Sequence, residues 1–228
     1  MDRSVLASVA IWFATMTSGA VAATAPSERV LYSFSGIGTF ADGAAPLGGL
    51  VQGPDGSLYG TTSEGGGSDC NCGTVFKLTP PATGQTGWTE TVIHSFQGYP
   101  SDGSSPYSSL VFDAAGNLYG TTLLGGSASS GTVFILQPPA TGQTTWTETV
   151  LHNFAGTPAD GQFPYSNLAI DAEGNLYGTA SLGGDANQGI AYRLGLPTDG
   201  GSEWTVSLLH EFQGGADGGQ PYSAVVFD

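Results

Sequence analysis

Leu110-Val111-Phe112-Asp113-Ala114-Ala115-Gly116-Asn117-Leu118-Tyr119-Gly120-Thr121-Thr122 is two short apolar runs around a Gly-Asn turn, the pattern of a β-hairpin. It returns as Leu168-Ala169-Ile170-Asp171-Ala172-Glu173-Gly174-Asn175-Leu176-Tyr177-Gly178-Thr179. A looser copy starts at Leu50, and a fourth is cut off at Phe227-Asp228. Self-similarity at a fixed period decides architecture before any other signal.

Working outward, four markers recur in order. A strand ends on Phe34, Phe96, Phe154 and Phe212, and an Asp-Gly turn follows at Asp42, Asp102, Asp160 and Asp217. The hairpin comes next with Tyr59, Tyr119 and Tyr177, and then Trp88, Trp146 and Trp204. Successive tryptophans are 58 positions apart. Each period holds four strand-like runs, which in the second copy cover 109–113, 117–123, 132–137 and 146–154. Pro138-Pro139 and Pro80-Pro81 end the third run, because proline removes the backbone donor a ladder needs. Repeated units of four antiparallel strands predict an all-β, β-propeller-like fold of tandem blades. The period exceeds that of WD40 repeats and lacks their signature, a β-helix needs shorter coils, and a sandwich needs no regular copies. Almost no helix is expected after residue 30, and Gly60, Gly120 and Gly178 should lie inside a strand where backbone approaches closely.

Gly131-Thr132-Val133-Phe134, the Gly-Asn-Leu-Tyr-Gly-Thr-Thr hairpin and the Asp102-Gly103-x-x-Pro106 turn resemble the GloVer repeat, found in tandem in exported bacterial proteins with varied surface anchors. The resemblance covers Val30 to the end. It implies a secreted propeller-like protein and brings no catalytic residues with it. Gly189-Ile190-Ala191-Tyr192 departs locally from the pattern.

The organisation expected is a signal peptide over 1–22, a linker over 23–29 and repeats over about 30–91, 92–149, 150–207 and a partial 208–228. Arg3, the apolar run from Val5 to Met16 and the A-x-A site Ala20-Val21-Ala22 predict export, to the cell surface, medium or periplasm. The run is too short for a spanning helix of ~20 residues. A strand without its own blade opens the repeat region and a lone first strand closes the chain. About three and a half blades therefore predict an unclosed ring, a fragment of a longer propeller, with open edges that favour self-association.

Of 228 residues, 37 are glycine, 10% are charged and 39% are hydrophobic, so the chain can build a core and is no acidic disordered tail. Four Lys and Arg face 19 Asp and Glu, a net charge of −15. Nucleic acid and anionic membrane need clustered cations, so neither is an expected partner.

The candidate site residues are few. Asp42, Asp102, Asp160 and Asp217 repeat in the links between blades, where equivalent carboxylates could ring a channel mouth and hold Ca²⁺. The plainer account is that Asp caps a turn whose Gly supplies a positive φ. Tyr107, Tyr165 and Tyr222 are candidate ligand-binding aromatics, set against simple packing. Cys70 and Cys72 fall in a two-residue insertion, and export favours a disulfide between them over a partner cysteine elsewhere. His94, His152 and His210 recur one per blade, too far apart for a shared zinc, and Glu90 lies about 13 Å from His94 along its strand, so a structural role is expected. Asp113, Asp171 and Asp228 precede the hairpin turn, with Gly53 in the first copy, and are expected to accept turn N–H groups, while the three tryptophans are expected to pack between blades.

The loops Glu64 to Gly73, Gly125 to Gly131 and Gly183 to Gly189 vary while the strands do not. No nucleophile elbow, phosphate loop or zinc-protease helix motif is present. The sequence therefore favours a non-catalytic exported scaffold that presents loop surfaces to a glycan or surface protein. The alternative is a lactonase-like propeller hydrolase or lyase with an acidic metal site.

Overall fold

The computed structural model describes residues 8–10, 28–36, 42–67, 70–156, 158, 160–197 and 203–228. The cleavage site Ala20-Val21-Ala22 and most of the segment read as a signal peptide lie outside them. Each apolar pair beside a Gly turn becomes the first hairpin of a four-stranded antiparallel meander. The first sheet runs β3 (Val51–Gln52), β4 (Leu58–Thr62), β5 (Thr74–Thr79), β6 (Thr89–Ser95). The second contains β8 (Val111–Phe112), β9 (Leu118–Thr122), β11 (Thr132–Gln137) and β12 (Thr147–Asn153). The third contains β14 (Ala169–Ile170), β15 (Leu176–Ala180), β17 (Ile190–Gly195) and β18 (Thr205–Glu211). These are the expected propeller-like blades. The register is the same in each: Gly60 pairs with Phe76, Gly120 with Phe134 and Gly178 with Tyr192.

At the N-terminal side β2 (Val30–Ser33) pairs with β1 (Ser8–Ala10), a strand inside the segment read as the export signal. At the C-terminal side no strand forms over 219–228. The expected first strand there has no hairpin partner, although Phe227 packs edge-on against Tyr177 at 5.1 Å, much as Phe112 packs against Tyr59 at 5.2 Å. Among the described residues the helical content is one 3₁₀ turn, Gly215–Asp217.

The core lies between sheets. Phe34 of the leading strand packs against Phe76, Phe96 against Phe134 and Phe154 against Tyr192, with ring centroids 4.9, 5.1 and 5.2 Å apart. Trp146 of the second sheet meets Tyr59 of the first, and Trp204 of the third meets Tyr119 of the second. Phe76, Phe96, Phe134 and Phe154 are all fully buried. Each such ring contributes about 1.5–3 kcal/mol by leaving water. The seam between sheets is thus where the fold is held.

Gly60, Gly120 and Gly178 do lie within β4, β9 and β15, but an aromatic ring approaches them, not backbone. A Cβ on Gly120 would stand 2.6 Å from Cζ of Phe134. In the Asp-Gly turns, Gly103 and Gly161 do not carry the positive φ; they lie in β7 (Gly103–Ser104) and β13 (Gly161–Gln162). A Cβ on Gly103 would run into Thr122. Gly43 and Gly218, in the first and last of these turns, do carry a positive φ, at 91° and 81°. In all four links a further left-handed residue comes two positions after the Gly, at Ala45, Ser105, Phe163 and Gln220, with φ between 50° and 60°.

Candidate functional site

Two short ladders that the sequence did not announce bring the links and the variable loops together. β7 pairs with β10 (Leu124–Gly125), and β13 pairs with β16 (Leu182–Gly183). Ala44 and Glu64 bridge at the corresponding place in the first sheet. The left-handed residues then reach back to the preceding sheet. Ser105 N–H donates to the Cys72 carbonyl at 2.8 Å, and Phe163 N–H to that of Ser130 at 2.9 Å. The links after the first, second and third sheets therefore pass over the variable loop of the blade before them and arrive at a Pro-Tyr-Ser stretch.

These stretches are clamped. Thr61 donates its hydroxyl to the Ser108 carbonyl, Thr121 to those of Pro164 and Ser166, and Thr179 to that of Ser223. The Thr of the Tyr-Gly-Thr hairpin thus holds the start of the next sheet. The clamps set Tyr107, Tyr165 and Tyr222 in one row, with ring centroids 5.7 and 5.1 Å apart. Tyr222 is 58% exposed, and the matching residue of the first sheet, Leu47, is 59% exposed. The row runs over the starts of the second sheet, the third sheet and the partial fourth copy, half-buried at Tyr107 and Tyr165 and open to solvent at Tyr222. Burial raises the Tyr165 phenol above its usual range, with the neighbouring Tyr107 and Tyr222 adding to it.

The four link aspartates serve their own turns. Asp102 accepts the Gln97 and Gly103 N–H groups, Asp160 those of Ala155 and Gly161, Asp217 that of Gln213 and Asp42 that of Ser35. The histidines, read from the sequence as plain strand residues, are the missed partners. His152 Nε2 lies 3.0 Å from Asp160 and His210 Nε2 lies 3.2 Å from Asp217. Tyr32 takes that part for Asp42, at 2.9 Å. Eight positions separate His94 from Asp102 and His152 from Asp160, and seven separate His210 from Asp217; that near-constant offset was the available signal. Burial alone would raise Asp160; the hydrogen bonds from His152 and the link backbone outweigh it and hold the carboxyl below its usual range.

The second seam differs. His94 Nε2 stands 3.4 Å from Asp102 Oδ2, and among the described residues it has no hydrogen-bond partner. Glu148 of β12 reaches the same place from the next sheet. One ligand atom from each of His94, Asp102 and Glu148 lies within 4.8 Å of the others. Burial, then the Asp102 carboxylate, pushes the Glu148 carboxyl up to about 7, against the opposing pull of His94. Among the described residues, this is the group with metal-ligand spacing, and of the four link aspartates only Asp102 belongs to it.

The sequence model of the Gloeobacter/Verrucomicrobia repeat matches residues 6–228. The chain belongs to this repeat family. No curated protein matches it. In the repeat family's hairpin, Asp113 accepts the Ala115 and Asn117 N–H groups and the Tyr119 hydroxyl, and Asp171 does the same for its own turn. In the first copy, where Gly53 stands, Asp55 takes the Ser57 N–H and pairs with Lys77 at 2.8 Å. Both roles are those of a turn, not of a reacting pair.

Cys70 and Cys72 are disulfide-bonded to each other. The bridge closes the tip of the first variable loop, and Cys72 packs so near Gly98 that a Cβ there would stand 2.8 Å from its sulfur. No helix among the described residues is long and apolar enough to cross a membrane.

Proposed function

We propose that the chain is an exported, non-catalytic repeat scaffold that binds a neutral glycan along Tyr107, Tyr165 and Tyr222. The tyrosine row carries this reading: three aromatic rings, at the starts of the second sheet, the third sheet and the partial fourth copy, held at near-equal spacing by side chain–backbone clamps and left partly in water. An aromatic ring with a polar tip offers an apolar surface to a sugar face and a hydroxyl to its rim. A regular row of them suits a polymer of regular units better than a single small molecule. The net charge of −15 disfavours phosphorylated, sulfated or uronic polymers and leaves neutral ones. The variable loops beside the row supply selectivity, since loops on a constant scaffold can change without cost to the core.

The test is binding of the full chain to immobilised neutral polysaccharides, with Tyr107→Ala/Tyr165→Ala as the matched variant. Binding by the parent and at least a roughly tenfold loss in the variant is expected, since aromatic anchors dominate such contacts. Equal binding by both chains overturns the reading. Lactonase-like hydrolysis or lyase chemistry is favoured by one observation, the His94–Asp102–Glu148 group. Release of cleaved product from a bound polysaccharide or a lactone would replace the scaffold reading.

A further inference from the structure

We propose that His94, Asp102 and Glu148 bind one first-row divalent cation, Zn²⁺ by preference, across the seam between the first and second sheets. The three residues come from separate places: β6, the link that follows it, and β12 of the next sheet. Their donor set is one imidazole nitrogen and two carboxylates. Imidazole selects zinc-like ions, whereas Ca²⁺ takes oxygen.

Three observations support the site. The first is spacing. Two ligands at ~2.1 Å from a tetrahedral zinc stand about 3.4 Å apart. His94 Nε2 and Asp102 Oδ2 are separated by 3.4 Å. The second is satisfaction. Among the described residues, His94 Nε2 and Glu148 Oε1 are buried atoms without a hydrogen-bond partner; Glu90 Oε1 at the first seam shares that state, so the unpaired imidazole is what sets this seam apart. Such atoms are costly in a folded protein and call for an explanation, an ion being one. Asp102 is 6% exposed, and the Gln97 and Gly103 N–H groups fix its carboxylate in place.

The third is comparison with the other two seams of the same chain. At the first, the corresponding residues are Tyr32, Asp42 and Glu90, and the phenol donates to Asp42 at 2.9 Å. At the third they are His152, Asp160 and Val206, and His152 is within hydrogen-bond distance of Asp160 at 3.0 Å. Only where imidazole and both carboxylates coincide does the His–Asp contact open to 3.4 Å and lose its hydrogen-bond geometry. An ion there would add a side chain–metal link between two sheets already joined by packing, backbone contacts and the Thr61 clamp.

The experiment uses the full chain, stripped with chelator and titrated with Zn²⁺ by calorimetry, with Co²⁺ as a visible-absorption probe. One Zn²⁺ per chain is expected. Glu148→Val and His94→Tyr each install the residue that a neighbouring seam already carries, so the fold has a precedent for both. Each should weaken Zn²⁺ binding by roughly 10–100-fold. Val206→Glu completes the set at the third seam and should raise the stoichiometry to two. No Zn²⁺ retained by the parent chain overturns the proposal. So does binding by Glu148→Val and His94→Tyr at parent affinity, or displacement of Zn²⁺ by equimolar Ca²⁺.

Discussion

At the position where β5 and β11 carry Phe76 and Phe134, β17 carries Tyr192. Its ring does the same packing against Phe154 that the phenylalanines do against theirs. Its hydroxyl is buried and, among the described residues, has no hydrogen-bond partner. Burial, with the Asp160 carboxylate beyond it, drives the phenol far above its usual range, so the group stays neutral. A buried donor left unpaired costs about 1–3 kcal/mol. Tyr192→Phe should therefore raise stability by about 1 kcal/mol in denaturant melts. A lower midpoint would show that the hydroxyl is paired. Glu90 gives a second single-residue effect. Burial, then the Asp42 carboxylate, pushes its carboxyl up to about 7 from an ordinary 4.5. Between those values the folded chain holds a proton that the unfolded chain has released, so this group's contribution to stability falls as pH rises. The neutral variant Glu90→Gln removes that slope. At pH 8 in chelator it should be more stable than the parent by about 1 kcal/mol, after discounting the shift for partial exposure. An unchanged pH profile would contradict the assignment.

At the scale of strands, the third copy shows how a repeat changes without breaking. Thr62 and Thr74 share a buried hydroxyl contact at 2.8 Å, as do Thr122 and Thr132. The same cross-strand pair in the third sheet is Ala180 and Ile190. Both hydroxyls are gone together, so neither is left orphaned. Removing one partner should cost about 1–3 kcal/mol, while removing both should cost less. Thr122→Ala alone is thus expected to melt lower than Thr122→Ala/Thr132→Ile, and the reverse order would sink this account of the departure at Gly189-Ile190-Ala191-Tyr192. The strands themselves were legible, since β11 matches its sequence span and the others differ by one or two residues at their ends. The small ladders β7–β10 and β13–β16 were not. They are two residues long and lie in Gly-rich segments without alternation, so nothing in the local pattern marks them as strands.

Across the whole molecule the seams between sheets decide everything. The constant Phe, Trp and Tyr positions were readable as packing, and they do pack from one sheet to the next. The His–Asp pairs were harder to see, because a strand-end histidine and a turn aspartate each have a sufficient local explanation. The meeting of Glu148 with His94 and Asp102 was not readable at all, since it depends on how far one sheet is rotated against its neighbour. The tyrosine row was visible as a period but not as a surface, because only the Thr clamps show that the three rings form one line. Ligand binding is proposed on that line, and the decisive measurement is hydrogen–deuterium exchange of the full chain with and without a bound neutral polysaccharide. Protection concentrated over Pro106–Ser109, Pro164–Asn167 and Pro221–Ser223 is the predicted result. Protection confined to the outer strands β6, β12 and β18, or no change on binding, would contradict it.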